Sequence, residues 1–304
     1  MRRFFCLVFA WLLFTFPAAA QPAGSVNVVT VPMAPVFAQP AEASEQVTQV
    51  LYGDEVRVTD SQGGWVKIVV PHQYRTSQGY PGWMKVKYLQ RLPKATTSAP
   101  FVTVAYPVVS LRTGPSVNSP VVEQMFLASR LELHKEEAKH SEGEEWFAIE
   151  RPDGPLWVRG SQVTLEEPLL PGQGDTVVDL AKKFKGTPYL WGGMTREGID
   201  CSGLMYTCYR VHGVTVPRDA DQQFQVGKPI SKDALQSGDM VFFGSSEDDI
   251  THVGMYAGDG MFVHASSGRG VVVSPLFQGW YLEHYQGARR VLNKRESGPV
   301  VLKP

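Results

Sequence analysis

The sequence has almost no excess charge, and it is poor in cysteine. Of its 304 residues, 29 are Lys or Arg, 30 are Asp or Glu and three are Cys. A balance of this kind offers no electrostatic basis for binding nucleic acid or an anionic membrane. The charged fraction of 19%, together with 29 Gly and 22 Pro, predicts many short strands and turns instead of long helices.

A long hydrophobic run is also lacking. The most apolar stretch, residues 4–16, is shorter than the roughly 20 residues that a membrane-spanning helix needs. Arg2 and Arg3 precede it and the small residues 17–20 follow it, which is the pattern of a cleaved signal peptide covering residues 1–20. We therefore expect an exported, soluble protein, located in the periplasm, in the cell envelope or in the medium.

Two cysteines, Cys201 and Cys208, lie outside the predicted signal peptide. In an oxidising compartment such a pair suggests a disulfide. If both lie on one helix, however, their spacing of seven residues separates them by about 10 Å along the axis. This exceeds the Cα separation of about 7 Å that a disulfide can bridge. The sequence therefore predicts a free thiol at Cys201 and a buried apolar residue at Cys208.

Composition divides the mature chain into three blocks and a tail. Residues 27–92 and 101–167 alternate in hydrophobicity with period two, and a linker rich in Thr, Ser and Ala, residues 93–100, separates them. Residues 172–292 begin with helical periodicity and continue with short strands and Gly-rich turns, which predicts an α+β domain with an antiparallel sheet. The charged end of the chain, residues 293–304, is predicted to be disordered.

The first two blocks share one plan, in which two strands each begin near a tryptophan. These are Trp65 and Trp83 in the first block and Trp146 and Trp157 in the second. Each block resembles a bacterial SH3-like barrel, and the sequence LRTGPS at 111–116 is typical of those modules. The tryptophan spacing is 83 − 65 = 18 residues in the first block and 157 − 146 = 11 in the second. The first block therefore has an extra loop, which reflects either drift or a binding edge.

A cysteine at the start of a predicted helix marks the third block. Asp200 can cap this helix, and His252 and His264 follow Cys201 on predicted strands. A thiol with downstream imidazoles is the composition of a cysteine nucleophile and its base. The positive end of the helix dipole and a nearby imidazolium would lower the pKa of the Cys201 thiol.

The spacing of the two histidines predicts that they meet. Residues 257–260, Ala-Gly-Asp-Gly, are a turn signal, and a turn centred on Gly258 places His252 opposite His264. A register shift of two residues still leaves them diagonal on the same face of the hairpin. His252 could then hold a proton for Cys201 while His264 orients its ring. The alternative is that both are ordinary strand histidines.

Two interpretations of Asp200 stay open. Its carboxylate can accept from the backbone N–H of Ser202 or Gly203 as an N-cap. A carboxylate aimed at the sulfur of Cys201 would raise the thiol pKa, so the side chain is expected to point away. It could then meet a cation, such as a substrate ammonium.

Four motifs carry a resemblance that covers about 120 residues from Asp175 onward. PYLWGG (188–193), DCSG (200–203), HVGMY (252–256) and HAS (264–266) occur in the order found in the NlpC family. This family comprises papain-like cysteine peptidases of the bacterial cell wall. The resemblance implies roles for six residues: Cys201 as nucleophile, His252 as general base, His264 as its orienting partner, Tyr189 in the oxyanion hole, and Trp191 and Ser202 on the substrate side.

The arrangement of the whole chain resembles γ-D-glutamyl-L-diamino acid endopeptidases of the dipeptidyl-peptidase VI type. That resemblance implies action on murein peptides with a free N-terminal L-alanine, in a cleft closed by a tyrosine of the first SH3-like domain. Tyr80 is the candidate for this tyrosine and Tyr74 is the second choice. Asp200 would pair with the alanine ammonium.

The expected function is hydrolysis of the γ-D-glutamyl–diamino acid bond of murein peptides through a thioester. The alternatives are an N-acetylmuramoyl-L-alanine amidase, an acyltransferase on the same fold, and an inert wall-binding adaptor. No cofactor, nucleic-acid partner or protein partner is expected. The sequence also predicts no metal site, because the remaining histidines lack ligand spacing and are expected at the surface. These are His72, His134, His140, His212 and His284.

Overall fold

The computed structural model describes residues 25–93, 100–165, 174–292 and 300–301. The predicted signal peptide, most of the predicted linker and nearly all of the predicted tail lie outside these residues. The described chain forms three successive units. Within the described residues, no helix is both long enough and apolar enough to cross a membrane.

The first unit is an antiparallel sheet of seven strands. Its strands are β1 (Ser25–Val29), β2 (Met33–Phe37), β3 (Gln46–Leu51), β4 (Glu55–Gln62), β5 (Trp65–Val70), β6 (Tyr80–Lys85) and β7 (Leu89–Pro93). They are ordered β3-β2-β6-β5-β4-β1-β7. The period-two pattern turns alternate side chains inward, so that Val29, Val36, Val50, Ile68 and Met84 are fully buried.

The second unit repeats this topology. Its strands are β8 (Phe101–Val104), β9 (Val108–Arg112), β10 (Val121–Phe126), β11 (Arg130–Ser141), β12 (Glu144–Ile149), β13 (Leu156–Arg159) and β14 (Val163–Thr164). They are ordered β10-β9-β13-β12-β11-β8-β14. This is the order of the first unit when the strands of each unit are counted from its start. The loose sequence repeat therefore corresponds to a repeat of topology.

The third unit packs short helices against an antiparallel sheet. Its elements are α1 (Gly174–Lys182), β15 (Met194–Thr195), β16 (Gly198–Ile199), α2 (Cys201–Val211), β17 (Val214–Thr215), α3 (Ala220–Gln223), β18 (Lys228–Ile230), β19 (Met240–Ser246), β20 (Asp249–Gly258), β21 (Met261–Ser266), β22 (Gly270–Pro275), α4 (Gly279–Glu283), β23 (Tyr285–Arg290) and β24 (Val300–Val301). The main sheet is ordered β18-β23-β19-β20-β21-β22, and α2 packs against β20 and β21. The predicted α+β unit with an antiparallel sheet is confirmed.

Strand β23 lies inside this sheet, between β18 and β19, and the sequence did not predict it. Its sequence, YQGARR, is mostly polar, and Ala288 is its one buried residue. A strand with so little apolar alternation gives no period-two signal. Its place in the sheet is therefore determined by tertiary pairing.

Both cysteines have the free thiols that the sequence predicts, whereas the predicted surface position of one histidine, His212, is wrong. Cys201 and Cys208 are both free and both buried. His212, expected at the surface, is buried at the end of α2, where its Nδ1 lies 2.8 Å from the Cys208 carbonyl oxygen. The ring covers the last turn of the helix and interacts with one of its terminal carbonyls, which explains its burial. That burial lowers the pKa of His212.

An ion pair joins the first unit to the third. Arg210 Nη2 on α2 donates to Asp54 Oδ1 at 2.8 Å, and the Asp54 side chain is fully buried. His72 Nε2 lies 3.4 Å from the same carboxylate oxygen. The Tyr206 hydroxyl on α2 donates to the His72 carbonyl oxygen at 3.2 Å. The helix that begins at Cys201 is thus anchored to the first unit.

Polar contacts also connect strand β3 with the WGG part of the PYLWGG run and with Met194, the residue after it. The Met194 N–H donates to Gln49 Oε1 at 2.8 Å, and Gln46 Nε2 donates to the Trp191 carbonyl at 2.9 Å. Gly192 has φ +71°, and a Cβ there would lie 2.7 Å from the Gln46 carbonyl oxygen. The glycine is required by its left-handed backbone and by this close approach.

Candidate active site

Cys201 is the first residue of α2, immediately after its N-cap. Asp200 has extended backbone angles, φ −92° and ψ 175°, and its Oδ1 accepts from the Gly203 N–H at 2.6 Å. This satisfies one of the N–H groups that a helix leaves unpaired at its start. The predicted capping role of Asp200 is confirmed, and the predicted start of the helix is correct.

The Cys201 thiol lies in a buried environment that favours its neutral form. Burial, supplemented by the Asp200 carboxylate, raises the pKa of Cys201 to about 12. The backbone groups of Val253 and Ser202 and the Arg218 guanidinium oppose this rise. The lowered pKa expected from the helix terminus is therefore wrong, because desolvation of the thiolate outweighs the helix dipole.

The two histidines meet on the hairpin formed by β20 and β21. His252 Nε2 lies 2.9 Å from His264 Nδ1, and the rings are nearly perpendicular. In the observed register Met255 is opposite Val263, so His264 faces residue 254 and is diagonal to His252. The predicted pairing of His252 directly opposite His264 is wrong by two residues, because the hairpin closes with Gly258 opposite Met261. The shared face is confirmed.

Gly254, the glycine of HVGMY, makes this contact possible. A Cβ at this position would lie 2.5 Å from the Phe262 ring and 3.0 Å from the His264 Cβ. Only a residue without a side chain lets the His264 ring lie across β20. Burial lowers the pKa of His252 to about 4. Burial, His252 and Arg269 together lower the pKa of His264 to about 3.

Neutral imidazoles beside a neutral thiol are suited to concerted proton transfer. The backbone of Val253, the residue after His252, is close enough to Cys201 to lower the pKa of its thiol, so the thiol and the histidine pair belong to one site. An imidazole with a depressed pKa is unprotonated near neutral pH and can accept a proton as a general base. The arrangement can therefore deprotonate the thiol as it attacks.

The cleft beside Cys201 has a volume of about 470 Å³ and lies between the first and third units. Four residues to which the resemblance assigns roles line it: Tyr189, Trp191, Asp200 and Ser202. Their roles stay predictions. The pKa of Tyr189 is raised by burial and by the nearby Cys201. Trp191 is 61% exposed and donates from Nε1 to Glu45 Oε1 at 2.8 Å.

Tyr80 projects into this cleft from the first unit. It lies at the start of β6, and its hydroxyl donates to Asp219 Oδ2 at 3.1 Å. Arg75 Nη1 is also 3.1 Å from Asp219 Oδ2. The backbone carbonyl of Tyr74, the second choice, accepts from the Arg218 N–H at 3.3 Å. Of the two tyrosines, Tyr80 lines the cleft.

Arg218, which the sequence argument missed, holds the Asp200 carboxylate. Its Nη1 and Nη2 donate to Oδ1 and Oδ2 of Asp200 at 3.0 and 2.8 Å, and its side chain is 1% exposed. The same carboxylate accepts from the Gly192 N–H at 2.8 Å and from the Ser202 hydroxyl at 3.2 Å. The Asp200 carboxylate is thus engaged by protein donors on both oxygens.

Two cleft residues, Glu45 and Asp219, and the buried Arg218 were not found from the sequence. Arg218 and Asp219 follow Pro217 just before α3, and a charged pair there looks like an ordinary helix start. Glu45 precedes β3 in the first unit, far away along the chain. Within the described residues, no three His, Cys, Asp or Glu side chains are arranged to hold a metal ion.

Comparison with known families identifies two regions of the chain. The sequence model of the NlpC/P60 family matches residues 186–290, which include the cysteine and both histidines. The model of the bacterial SH3 domain matches residues 34–90. The assignment of the second unit as an SH3-like barrel stays a prediction.

Similar proteins extend the likeness over most of the chain. A "Gamma-D-glutamyl-L-lysine dipeptidyl-peptidase" of Bacillus cereus is 36% identical, with 82% of this chain and 76% of that protein covered. A protein of the same name from Bacillus subtilis is 32% identical, with 81% of each covered. The crystal structure of an NlpC/P60 family protein from Bacillus cereus superposes with a TM-score of 0.77 at 30% identity, covering 88% of this chain and 100% of that one.

The fold, the thiol–imidazole site and these relatives together define the class of protein, a peptidase among the hydrolases. The likeness is not confined to the catalytic unit, since it includes the bacterial SH3 domain that contributes one side of the cleft. The chain belongs to the NlpC/P60 family.

Proposed function

We propose that this protein is a cysteine endopeptidase that hydrolyses the γ-D-glutamyl–diamino acid bond of murein peptides. The observation that carries the proposal is the cleft, in which Cys201 lies opposite a wall supplied by the first unit. The relatives named for cleavage at γ-D-glutamyl-L-lysine match both of these units. A short peptide can therefore contact both units while its γ-carbonyl is at the sulfur.

The proposed mechanism is acyl transfer through a thioester. The Cys201 sulfur attacks the γ-carbonyl carbon of D-Glu as its proton passes to His252. The Cys201 backbone N–H and the Tyr189 hydroxyl stabilise the oxyanion. The His252 imidazolium, oriented by His264, gives its proton to the departing amine of the diamino acid. His252 then takes a proton from the water that attacks the thioester, and this releases the D-Glu carboxylate and the thiol.

The free N-terminal amine of the substrate requires an anionic partner, and we propose Asp219 for this role. Asp200, the residue suggested by the sequence, has both carboxylate oxygens engaged by Arg218 and backbone donors. Asp219 and Glu45 also line the cleft. Within the described residues, the donors to the Asp219 carboxylate are only the Tyr80 hydroxyl and the partly exposed guanidinium of Arg75. Burial raises the pKa of Asp219, and a substrate ammonium would counteract that rise. Asp200 would then support the site through Ser202 and the helix start.

Trp191 and Ser202 complete the proposed substrate contacts. Trp191 presents an exposed ring at the mouth of the cleft, held by its hydrogen bond to Glu45. The Ser202 hydroxyl is buried beside Cys201, where Arg218 Nη1 donates to it at 3.0 Å. Tyr80 would close the cleft over the alanine end of the peptide and thereby limit the chain length beyond the amine.

The proposal is tested with L-Ala-γ-D-Glu-diaminopimelate, offered with and without an N-acetyl group on the alanine. We expect release of L-Ala-D-Glu from the free-amine peptide only, detected by the masses of the products. Equal cleavage of both peptides would support the assignment as a peptidase but contradict the proposed binding site for the substrate ammonium. Cleavage between the sugar and L-alanine of a muropeptide would instead indicate an amidase. A lack of cleavage of every peptide, including the L-lysine analogue, would contradict the proposal.

The proposed substrate lies outside the cytoplasm, which agrees with the signal-peptide pattern of residues 1–20. We propose export to the periplasm or cell envelope, and the domain boundaries 27–92, 101–167 and 172–292 for the mature chain. Fractionation of cells that express the full chain tests the first point. Retention of an uncleaved chain in the cytoplasm would contradict it.

A further inference from the structure

The outer nitrogen of His264 has three neighbours that the proposed mechanism does not use. His264 Nε2 lies 3.1 Å from Ser274 Oγ and 3.3 Å from the Tyr281 hydroxyl. Arg269 Nη2 donates to the same two oxygens, at 3.3 Å to Ser274 and 3.5 Å to Tyr281. A connected polar chain thus runs from Arg269 through two hydroxyls to the histidine pair.

Each of these side chains comes from a different element around His264. Ser274 is on β22, where the register His264 to Val272 places it diagonal to His264 on the same face, and it is 3% exposed. Tyr281 is on α4, and Arg269 is in the turn between β21 and β22. The His264 ring also stacks on Phe262, with centroids 4.4 Å apart and an interplanar angle of 15°. Its orientation is therefore fixed by packing.

The hydrogen bonds around His264 Nε2 accommodate a proton on that nitrogen. Arg269 can only donate, so it takes one lone pair of each hydroxyl, and the second lone pair of each can receive a proton from His264 Nε2. With its proton on Nε2, His264 has an unprotonated Nδ1 that accepts from His252 Nε2–H. His252 then has its lone pair on Nδ1, the only ring nitrogen left for the thiol proton. The opposite tautomer would place a proton on His252 Nδ1 and block the base.

We infer that Ser274, Tyr281 and Arg269 are positioning residues that hold His264 in its Nε2–H tautomer, so that His252 offers Nδ1 to Cys201. The inference rests on the proposed function for its catalytic meaning. Its structural content, the tautomer, is independent of the substrate. The guanidinium also has an electrostatic effect, because its positive charge opposes the addition of a further proton to the neutral histidine pair.

Two ionisable side chains, His252 and Arg269, act on the charge state of His264. His252 on β20 and Arg269 in the turn are its titratable or charged neighbours, while Ser274 on β22 and Tyr281 on α4 contribute hydroxyls. The pKa of His264 is lowered first by burial, then by His252, then by Arg269. Removal of the Arg269 charge therefore raises the pH at which the pair becomes protonated and can no longer act as a base.

The tautomer can be measured directly from the ¹⁵N chemical shifts of the imidazole nitrogens in protein labelled at histidine. We expect a protonated Nε2 and an unprotonated Nδ1 for His264 in the unaltered chain. In Ser274→Ala/Tyr281→Phe a population protonated at Nδ1 should appear, whereas Ser274→Thr should retain the original pattern. Unchanged shifts in the double variant would overturn the inference. If the double variant does not fold, the two single variants give the same comparison.

The charge effect is read from the pH dependence of kcat/KM. Arg269→Gln should move the acidic limb to higher pH by roughly half a unit, with Arg269→Lys restoring it. The control is Lys185→Gln, which removes an exposed positive charge elsewhere in the same unit. Equal profiles for Arg269→Gln and the control would overturn the electrostatic part. If no murein peptide is cleaved, the proposed function fails, but the ¹⁵N experiment still decides the tautomer.

Discussion

The first and second units share one strand order but differ in what they contribute to the cleft. The described residues that line it come from the first and third units. The difference lies in the loop between the fifth and sixth strands of each unit, residues 71–79 in the first and 150–155 in the second. The longer loop carries Arg75, which contacts Asp219, and leads into Tyr80. One longer loop therefore allows the first unit to form a wall of the cleft.

A second difference lies in a turn that both units contain. The Asp54 N–H donates to the Leu51 carbonyl, and the Ser129 N–H donates in the same way to that of Phe126, both at 3.0 Å. The first unit places a carboxylate at this turn, where it meets Arg210 of α2, and the second unit has a hydroxyl there. One repeated turn thus became an electrostatic anchor in one copy only.

The largest effect is expected at the thiol itself, because the comparison has meaning only if the cleft is the active site. Cys201→Ala should lower kcat/KM on L-Ala-γ-D-Glu-diaminopimelate by about a thousandfold or more. Cys208→Ala, on the same buried helix, removes a sulfur far from the cleft and should retain turnover. Retained activity in Cys201→Ala, measured by product mass, would refute the assignment of the nucleophile.

Removal of the anchor tests the difference between the two turns. Asp54→Asn should destabilise the protein by about 3 kcal/mol near neutral pH, because it leaves Arg210 without its buried counter-charge. Asp60→Asn, an exposed change in the same unit, should cost much less. Both are measured as shifts of the denaturant midpoint. Equal shifts would show that the ion pair does not stabilise the contact between the units.

The ion pair between Asp54 and Arg210 also predicts that the free energy of unfolding depends on pH. Burial alone would raise the pKa of Asp54, but Arg210 and His72 outweigh it and hold that pKa below its ordinary value. A depressed folded-state pKa gives stability that is fully present above the unfolded value, about 3.9, and is lost as the pH falls through the folded value. The stability gap between the unaltered chain and Asp54→Asn should therefore narrow below about pH 4. A constant gap from pH 7 to pH 3 would contradict this.

A smaller effect is expected at the proposed ammonium partner. Asp219→Asn should lower kcat/KM for the free-amine peptide about thirtyfold. This factor corresponds to about 2 kcal/mol, the size of a charge-assisted hydrogen bond. Any cleavage of the N-acetylated peptide should be unaffected. Asp221→Asn is the matched control, because Asp221 also pairs with Arg75 and is more exposed. If both variants lose activity equally on the free-amine peptide, the role of Asp219 is refuted.

The smallest effect tests the contribution of the first unit. Tyr80→Phe removes one hydroxyl and should raise KM for the free-amine peptide about fivefold. This factor corresponds to the loss of one hydrogen bond of about 1 kcal/mol. Tyr80→Ala should in addition relax the demand for a free N-terminus, because it opens the cleft. Tyr88→Phe, in the same unit, serves as the control. Unchanged selectivity in Tyr80→Ala would assign closure of the cleft to another residue.

Short-range signals explain how much of the site could be predicted. Asp200 before an apolar run predicted the start of α2, and the turn at 257–260 predicted that His252 and His264 share a face. The exact register could not be predicted, because it depends on how the hairpin closes and on the space over Gly254.

Partners contributed by distant segments could not be predicted. Nothing local to Arg218 reveals that its side chain reaches Asp200 and Thr48, since Thr48 belongs to another unit. The pKa of Cys201 follows from burial, which the sequence does not report. The polar strand β23 is held in the sheet by its neighbours and gives no pattern of its own.

The contact at Gly192 has a consequence for how such chains can be recombined. Gln46 and Gln49 of the first unit hold the backbone at both ends of the WGGM segment, residues 191–194, through the Trp191 carbonyl and the Met194 N–H. A catalytic unit transplanted onto a foreign module would leave that N–H without its acceptor, at a cost of about 1–3 kcal/mol if it stayed buried. The first and third units are therefore best exchanged together, although the second unit lies between them in the chain.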